Sequence, residues 1–323
     1  MKKEKNDKLD KLLSSLKNDF NIKKASDIVE EEKIRTGIYA LDYVLSGGLS
    51  QCDGGHRLEF FGAESTGKTT FALHIIKKYQ ELGKVCVFID AENSYDKEWA
   101  EICGVDNDNI LIINPKSLEE AGNLYVKLIP ESDLIVTDSI VSLIPDAEIE
   151  RNVEEATMAL QARINALITR KIYQTIAGRK TTLIFINQLR EKLGVMYGNP
   201  YTTGGGHAIK HMYNTRIEFK TGKPINVGTG DNKERIGIEI HLKGVKNKKG
   251  TPYLDAVVDF YFNGKIDNKK SIFFGALKYG IIQLSGKTYE YKDIKVVGKE
   301  AFLEKMDDKL IKQIEDEIWK KNQ

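Results

Sequence analysis

Residues 62–70 read GAESTGKTT. Gly62, four unconstrained positions, and then Gly67, Lys68 and Thr69 reproduce the spacing G-x-x-x-x-G-K-[ST], which wraps a chain of phosphates. Such a loop needs a strand before it and a helix after it. The run HRLEFF (56–61) supplies the strand, and KTTFALHIIKKYQELG (68–83) has the period of a helix that stops at Gly83. Between them, the backbone N–H groups of Glu64, Ser65, Thr66, Gly67 and Thr70 turn inward around a phosphate at the positive end of the helix. Lys68 then reaches the β- and γ-phosphates of a triphosphate, and the Thr69 hydroxyl is the candidate ligand for Mg2+.

A metal at such a loop needs a second acidic group. LIVTDS (134–139) ends a buried apolar strand in Asp138, whose carboxylate would emerge beside the loop and hold the metal's water shell. Hydrolysis also needs a group that orients or deprotonates water. Glu92, just past the strand VCVFIDAE (85–92), lies at the same sheet edge and is the candidate, with Asp90 as the alternative assignment. Gln188, ending TLIFINQ (182–188), stands where a neutral amide can bond the terminal phosphate and move when that phosphate leaves.

The chain has 323 residues, 41% apolar and 30% charged, which suits one large α/β domain with smaller pieces attached. A formal net charge of +2 leaves any basic surface local rather than global. Cys52, Cys86 and Cys103 make no paired or metal-like spacing, as expected in a reducing cytosol. The opening MKKEKNDKLDKLL has no signal-peptide core and no run reaches membrane length, so a cytoplasmic protein without membrane association is expected.

The middle of the chain alternates apolar runs with helical patterns. HRLEFF, VCVFID (85–90), ILIIN (110–114), LIVTD (134–138) and TTLIFIN (181–187) read as strands of a parallel sheet covered on both faces. From about residue 215 the pattern changes: RIGIEIHL (235–242) alternates strictly, and AVVDFYF (256–262) follows a Gly/Lys-rich turn, as in antiparallel strands at a sheet edge. The fold class is therefore α/β, a P-loop NTPase core of mostly parallel sheet. Three regions are expected: an N-terminal helix and linker over 1–34, the core over 35–268, and a small C-terminal domain over 269–323. The N-terminal helix carries Leu9, Leu12, Leu13, Leu16 and Phe20 on one stripe, which packs either on its own domain or on a neighbouring subunit. One C-terminal helix is expected to present Leu303, Met306, Leu310, Ile314 and Ile318 on one face.

Taken together, GAESTGKTT, VFIDAENSYD, LIVTDSIVSLIPDAEIE, LIFINQLREKLGVMYGNPYTTGGGHAIK and VKNKKGTPY resemble the RecA family of bacterial and phage recombinases, in the family's order, over about residues 36–290. The resemblance implies a RecA-like core and a DNA-dependent ATPase. It implies, too, filaments on single-stranded DNA that pair with homologous double-stranded DNA, using ATP and Mg2+. By motif position it assigns Glu92 as the catalytic glutamate and Gln188 as the nucleotide sensor. Asp96 and Trp99 fall where the family contacts adenine, Trp replacing the usual Tyr. Lys246 and Lys248 match lysines that reach the ATP of the adjacent subunit, and Phe262 matches an aromatic that covers that adenine. Read from the residues alone, Lys246 and Lys248 would be a solvated hairpin turn.

Two segments are placed to hold DNA. EIERNVEEATMALQAR (148–163) carries Met158 and Arg163, leads to Arg170 and Lys171, and departs from the family in its Glu154 and Glu155 and in lacking glycines. LREKLGVMYGNPYTTGGGHAIK (189–210) holds five glycines, Gly204 and Gly205 among them, flanked by Arg190, Lys192 and Lys210. Glycine amides, hydroxyls and a few cations bind a phosphate backbone without reading sequence, while Met158 and Tyr197 would wedge or stack among bases. Because Gln188 continues into this loop, nucleotide and DNA sites should be coupled. The chain lacks the acidic tail typical of bacterial members, as expected of a short, phage-encoded form. Single-strand-binding or loading proteins are the accessory partners the resemblance suggests. A hexameric helicase on the same core and an ATP-binding regulator are the competing readings.

Overall fold

The computed structural model describes residues 2–17, 22, 24–27, 32–149, 158–191 and 201–321. It divides into two compact units, Met1–Glu32 and Lys33–Gln323. The first holds the helix Lys2–Leu16, with Leu9 and Leu12 exposed. Phe20 lies outside the described residues.

The second unit is built on one large mixed sheet. Its strands run in the spatial order Ile266–Asp267, Asp255–Tyr261, Glu234–Asn247, Thr215–Val227, His56–Gly62, Thr182–Glu191, Leu134–Asp138, Cys86–Asp90 and Ile110–Ile113. From Thr215–Val227 through Ile110–Ile113 neighbouring strands are parallel, and the three beyond Thr215–Val227 pair antiparallel. The parallel part is apolar on both faces because helices cover both. In Cys86–Asp90, Phe88 joins the core under the helix Lys68–Glu81, whereas Val87 and Ile89 join the core under Leu118–Leu128 and Met158–Ile176. In Thr182–Glu191 the same alternation sends Ile184 and Ile186 one way and Leu183 and Phe185 the other. Each such side chain adds about 1.5–3 kcal/mol on full burial.

Two elements depart from the sequence pattern. Ile110–Ile113 is as apolar as its neighbours but forms the sheet edge, so Leu111 is left 57% exposed. The expected single C-terminal helix is two, Lys299–Lys305 and Asp308–Lys321. Met306 takes an extended conformation between them, and Asp307 Oδ1 accepts the Leu310 N–H at 2.8 Å as a new cap. Met306, Ile314 and Ile318 are still fully buried. The rest of this segment is the helix Lys269–Lys278 and a three-stranded antiparallel sheet (Gln283–Ser285, Thr288–Tyr291, Ile294–Val297). Phe273, Tyr289 and Phe302 form a ring cluster between them.

Candidate active site

The parallel strands end together at one edge of the sheet, where open α/β sheets bind ligands. His56–Gly62 delivers the loop 62–70 to this edge, and Lys68–Glu81 leaves from it. Two glycines make the turn possible for different reasons. A Cβ on Gly62 would stand 2.2 Å from the carbonyl oxygen of Phe219 on the neighbouring strand, so no side chain fits. Gly67, the residue before the helix, has room for a Cβ but a φ of +80°. Glu64 and Ser65 are exposed and Thr66 is buried, its hydroxyl donating to Ala63 O at 2.9 Å.

Lys68 is buried and folded back over the loop. Its Nζ donates to Ala63 O at 2.7 Å and approaches Gly62 O and Thr66 Oγ1 at 3.3 Å. Burial lowers its pKa, opposed by the nearby charges of Asp138, Glu92 and Glu64. Thr69 Oγ1 donates to Asp138 Oδ2 at 2.7 Å, joining two residues 69 positions apart. Burial pushes the Asp138 carboxyl up to about 6, and the charge of Glu92 adds to this, while Thr69 and Lys68 oppose it.

Glu92 stands exposed at the same edge, oriented by two hydroxyls. Ser139 Oγ and Ser142 Oγ donate to its Oε1 at 2.7 and 2.8 Å, so Oε2 takes neither. Asp90 is committed elsewhere: its two oxygens accept the N–H groups of Ser94 and Tyr95, both at 3.0 Å, to close the loop after its strand. The chemistry of the two carboxylates is therefore different. Asp96 caps the helix Lys97–Ile102 by accepting Trp99 N–H, and Trp99 Nε1 donates to Thr70 Oγ1 at 3.1 Å. The indole is thus tied to the first turn of the loop's helix.

Gln188 lies opposite Gly62 across the parallel pair Thr182–Glu191/His56–Gly62. Beside it is a polar network that sequence reasoning missed. Glu59 is fully buried; its Oε1 accepts from Asn187 Nδ2 at 2.9 Å, and its Oε2 accepts from Arg216 Nε. Arg216 also donates to Thr203 Oγ1 at 3.1 Å and lies over the Phe61 ring. Asn187 Nδ2 reaches Gly204 O at 3.5 Å. The network ties the sheet edge to Thr203 and Gly204, at the far base of the second loop. A lone glutamate inside HRLEFF was its one sequence signal, since a buried charge requires a partner.

Of the candidate DNA residues, Arg163 and Arg170 are exposed on the helix Met158–Ile176, seven positions apart and so on one side. Arg190 is exposed on Thr182–Glu191, paired with Thr202 of the short strand Tyr201–Thr203. Gly204 packs against Val141 and Gly205, with φ +88°, precedes the helix Gly206–Met212. Lys210 Nζ donates to Thr202 Oγ1. Met158 opens its helix; Tyr197, Lys192, Glu154 and Glu155 lie outside the described residues.

Lys246, Lys248 and Phe262 do not join the phosphate loop of their own chain. Lys246 Nζ donates to Lys210 O at 3.1 Å and approaches His211 O at 3.5 Å, at the carbonyl end of Gly206–Met212. Burial lowers its pKa, and the charges of Lys248 and Arg216 add to this. Lys248 begins the turn after Glu234–Asn247, and Phe262 is 49% exposed past Asp255–Tyr261, with Arg235 over its ring.

The family model described as the RecA N-terminal domain matches residues 14–267. Protein RecA of Lactococcus lactis subsp. cremoris (strain MG1363) is 41% identical over 266 residues, 81% of this chain and 68% of that protein. The chain belongs to the RecA family. Protein RecA of Bacteroides thetaiotaomicron is 41% identical over 278 residues, covering 85% of this chain and 82% of that protein. Protein RecA of Clostridium acetobutylicum is 39% identical over 272 residues, 84% and 76% of the two chains. As a RecA-family recombinase, the protein is a DNA-dependent ATPase that forms filaments on single-stranded DNA and exchanges homologous strands. No helix among its described residues is long and apolar enough to cross a membrane.

Proposed function

We propose that the sheet edge around the loop 62–70 is where this RecA-family member hydrolyses ATP, with roles divided as follows. The loop amides and Lys68 hold the β- and γ-phosphates, and Trp99, tied to Thr70, offers a flat face to adenine beside Asp96. Glu92 takes the proton of the attacking water as the bond between the γ-phosphorus and its bridging oxygen breaks. The observation that carries this reading is the pair of serine hydroxyls on Glu92 Oε1, which aim an exposed carboxylate across the edge occupied by Lys68 and Asp138.

Mg2+ fits the donor set: a threonine hydroxyl and a buried carboxylate are hard oxygen donors 2.7 Å apart. Thr69 and Asp138 would hold it; among the described residues no group of three acidic, His or Cys side chains forms a self-sufficient metal cage. When bound it supplies charge neutralisation at the phosphates.

Lys246, Lys248 and Phe262 complete the ATP site of an adjacent protomer, which supports the reading because none of them bonds the loop of its own chain among the described residues. Residues 35–268 form the ATPase core, 269–323 a small C-terminal domain, and 1–34 a docking element, working in the cytoplasm. Arg163, Arg170, Arg190, Gly204, Gly205 and Lys210 contact the DNA backbone, with Met158 and Tyr197 at the bases. Gln188 reports the γ-phosphate to that loop. Single-strand-binding or loading proteins would act upstream.

The test is Glu92→Gln. It should retain ATP binding, slow hydrolysis by about 10²–10⁴, and leave long-lived filaments on single-stranded DNA, followed by light scattering. Hydrolysis at the parental rate would remove Glu92 from its role.

A further inference from the structure

Away from the sheet edge just described, a cavity of about 570 Å3 lies among the helix Tyr39–Val44, the strands Glu234–Asn247 and Asp255–Tyr261, and the helix Lys269–Lys278. This is within the range of small-molecule sites. Its wall combines aromatic rings with cations. Lys278 Nζ donates to the Tyr43 hydroxyl and lies over the Tyr43 ring, and Lys299 lies over Phe274, 5.1 Å from its centroid. Phe274 is 45% exposed, unusual for a phenylalanine beside a packed core. Lys223 adds a further ammonium to the lining.

Two carboxylates also line the cavity. Glu239 is bonded by Lys270, which also approaches Asp259 at 3.5 Å, so that charge is matched within the wall. Asp255 is exposed and lies near Lys278. Lys278 and Lys299 lie over neutral rings, Lys299 with only a long ion pair to the exposed Glu300 at 3.9 Å. At the back, Tyr39 is 2% exposed and its hydroxyl has no hydrogen-bond partner among the described residues. That oxygen lies against Gly275, where a Cβ would stand 2.0 Å from it, so only a glycine leaves the phenol in place.

We infer that this cavity is a second ligand site for a small organic phosphate of the nucleoside-monophosphate type, separate from the loop 62–70. Lys278 and Lys299, with Lys223, bind the phosphate; Phe274 and Tyr43 flank the flat body; Asp255 accepts from a ligand hydroxyl or amino group. The mixed charge argues against a continuous polyanion, because a DNA backbone would have to pass Asp255 and Glu239. The concave shape argues the same way.

AMP is a suitable probe because it lacks the β- and γ-phosphates that Lys68 would grip. Equilibrium dialysis of labelled AMP against the full chain carrying Lys68→Ala should show one saturable site per chain. Binding should weaken at least about tenfold in Lys278→Gln/Lys299→Gln, and likewise in Phe274→Ala. Inorganic phosphate should compete at least about tenfold less well than AMP. These side chains are partly or fully exposed, and unchanged circular dichroism and melting would show that the variants fold. The inference is overturned by absence of saturable binding in Lys68→Ala, by equal affinity in the double variant, by equal competition from inorganic phosphate, or by displacement with a short DNA duplex alone.

Discussion

Asp42 sits in the helix Tyr39–Val44 with no exposed surface, its Oδ1 accepting the Thr36 N–H and hydroxyl, both at 2.8 Å. Its Oδ2 has no partner among the described residues. Burial pushes this carboxyl up to about 7; the Thr36 bonds oppose the rise and the charge of Glu315 adds to it. A carboxyl raised in the folded chain holds its proton there more tightly than in the unfolded chain. It therefore contributes stability that is present at low pH and is lost as pH rises from the usual carboxylate range through about 7. Asp42→Asn keeps an acceptor for both Thr36 donors and removes the charge. Its denaturation midpoint should vary less between pH 5 and 8 than that of the parent, roughly the range set by the shifted value, and should exceed it at the alkaline end. Urea titrations at several pH values measure both.

At the scale of elements, the phosphate loop depends on its neighbouring strand. Gly62→Ala places a methyl group 2.2 Å from Phe219 O, a backbone atom that cannot swing aside. A loss of about 1–3 kcal/mol is expected, read as a lower urea midpoint, together with weaker ATP binding because the loop must shift. The Glu59 network is more demanding. Arg216→Ala leaves a fully buried carboxylate without its cation, and the expected cost is about 3–5 kcal/mol, measured by thermal or chemical denaturation. The parallel strands were legible because helices on both faces make each of them continuously apolar. The loop was legible because its glycines and lysine recur at one spacing. What was not legible depended on distant partners: whether Ile110–Ile113 is central or an edge is decided by what lies beyond it. The break at Met306 was hidden because the buried stripe continues across it, with Met306 before Asp307 and Ile314 and Ile318 after. Glu59, Asn187 and Arg216 lie far apart in the chain, and only the sheet brings them together. Ser139 and Ser142 carry no signal beyond a three-residue spacing after Asp138.

For the whole molecule, the separation of Lys246 and Lys248 from their own loop makes subunit mixing informative. Lys68→Ala should abolish hydrolysis in the site that carries it, and Lys248→Ala should impair the neighbouring site, where trans cations in related chemistries contribute about 10³–10⁵ in rate. Mixed in equal amounts on single-stranded DNA, the two inactive proteins should regain about a quarter of the parental rate. Random head-to-tail order restores a complete site wherever a Lys248→Ala loop faces a Lys68→Ala neighbour. If each chain instead supplied all of its own site, the mixture would stay inactive.

The strand Thr182–Glu191 runs from the middle of the sheet, past Gln188, to its last three residues, which pair with Tyr201–Thr203 outside the main strand order. One uninterrupted length of backbone thus runs from beside Gly62 to the pairing with Tyr201–Thr203. A pull on Leu189–Glu191 would reach Gln188 through stiff covalent geometry, since all lie on one strand. Under the roles proposed for Gln188 and the second loop, mechanical tension along a bound polymer would be geared to the chemistry of the nucleotide by a single lever.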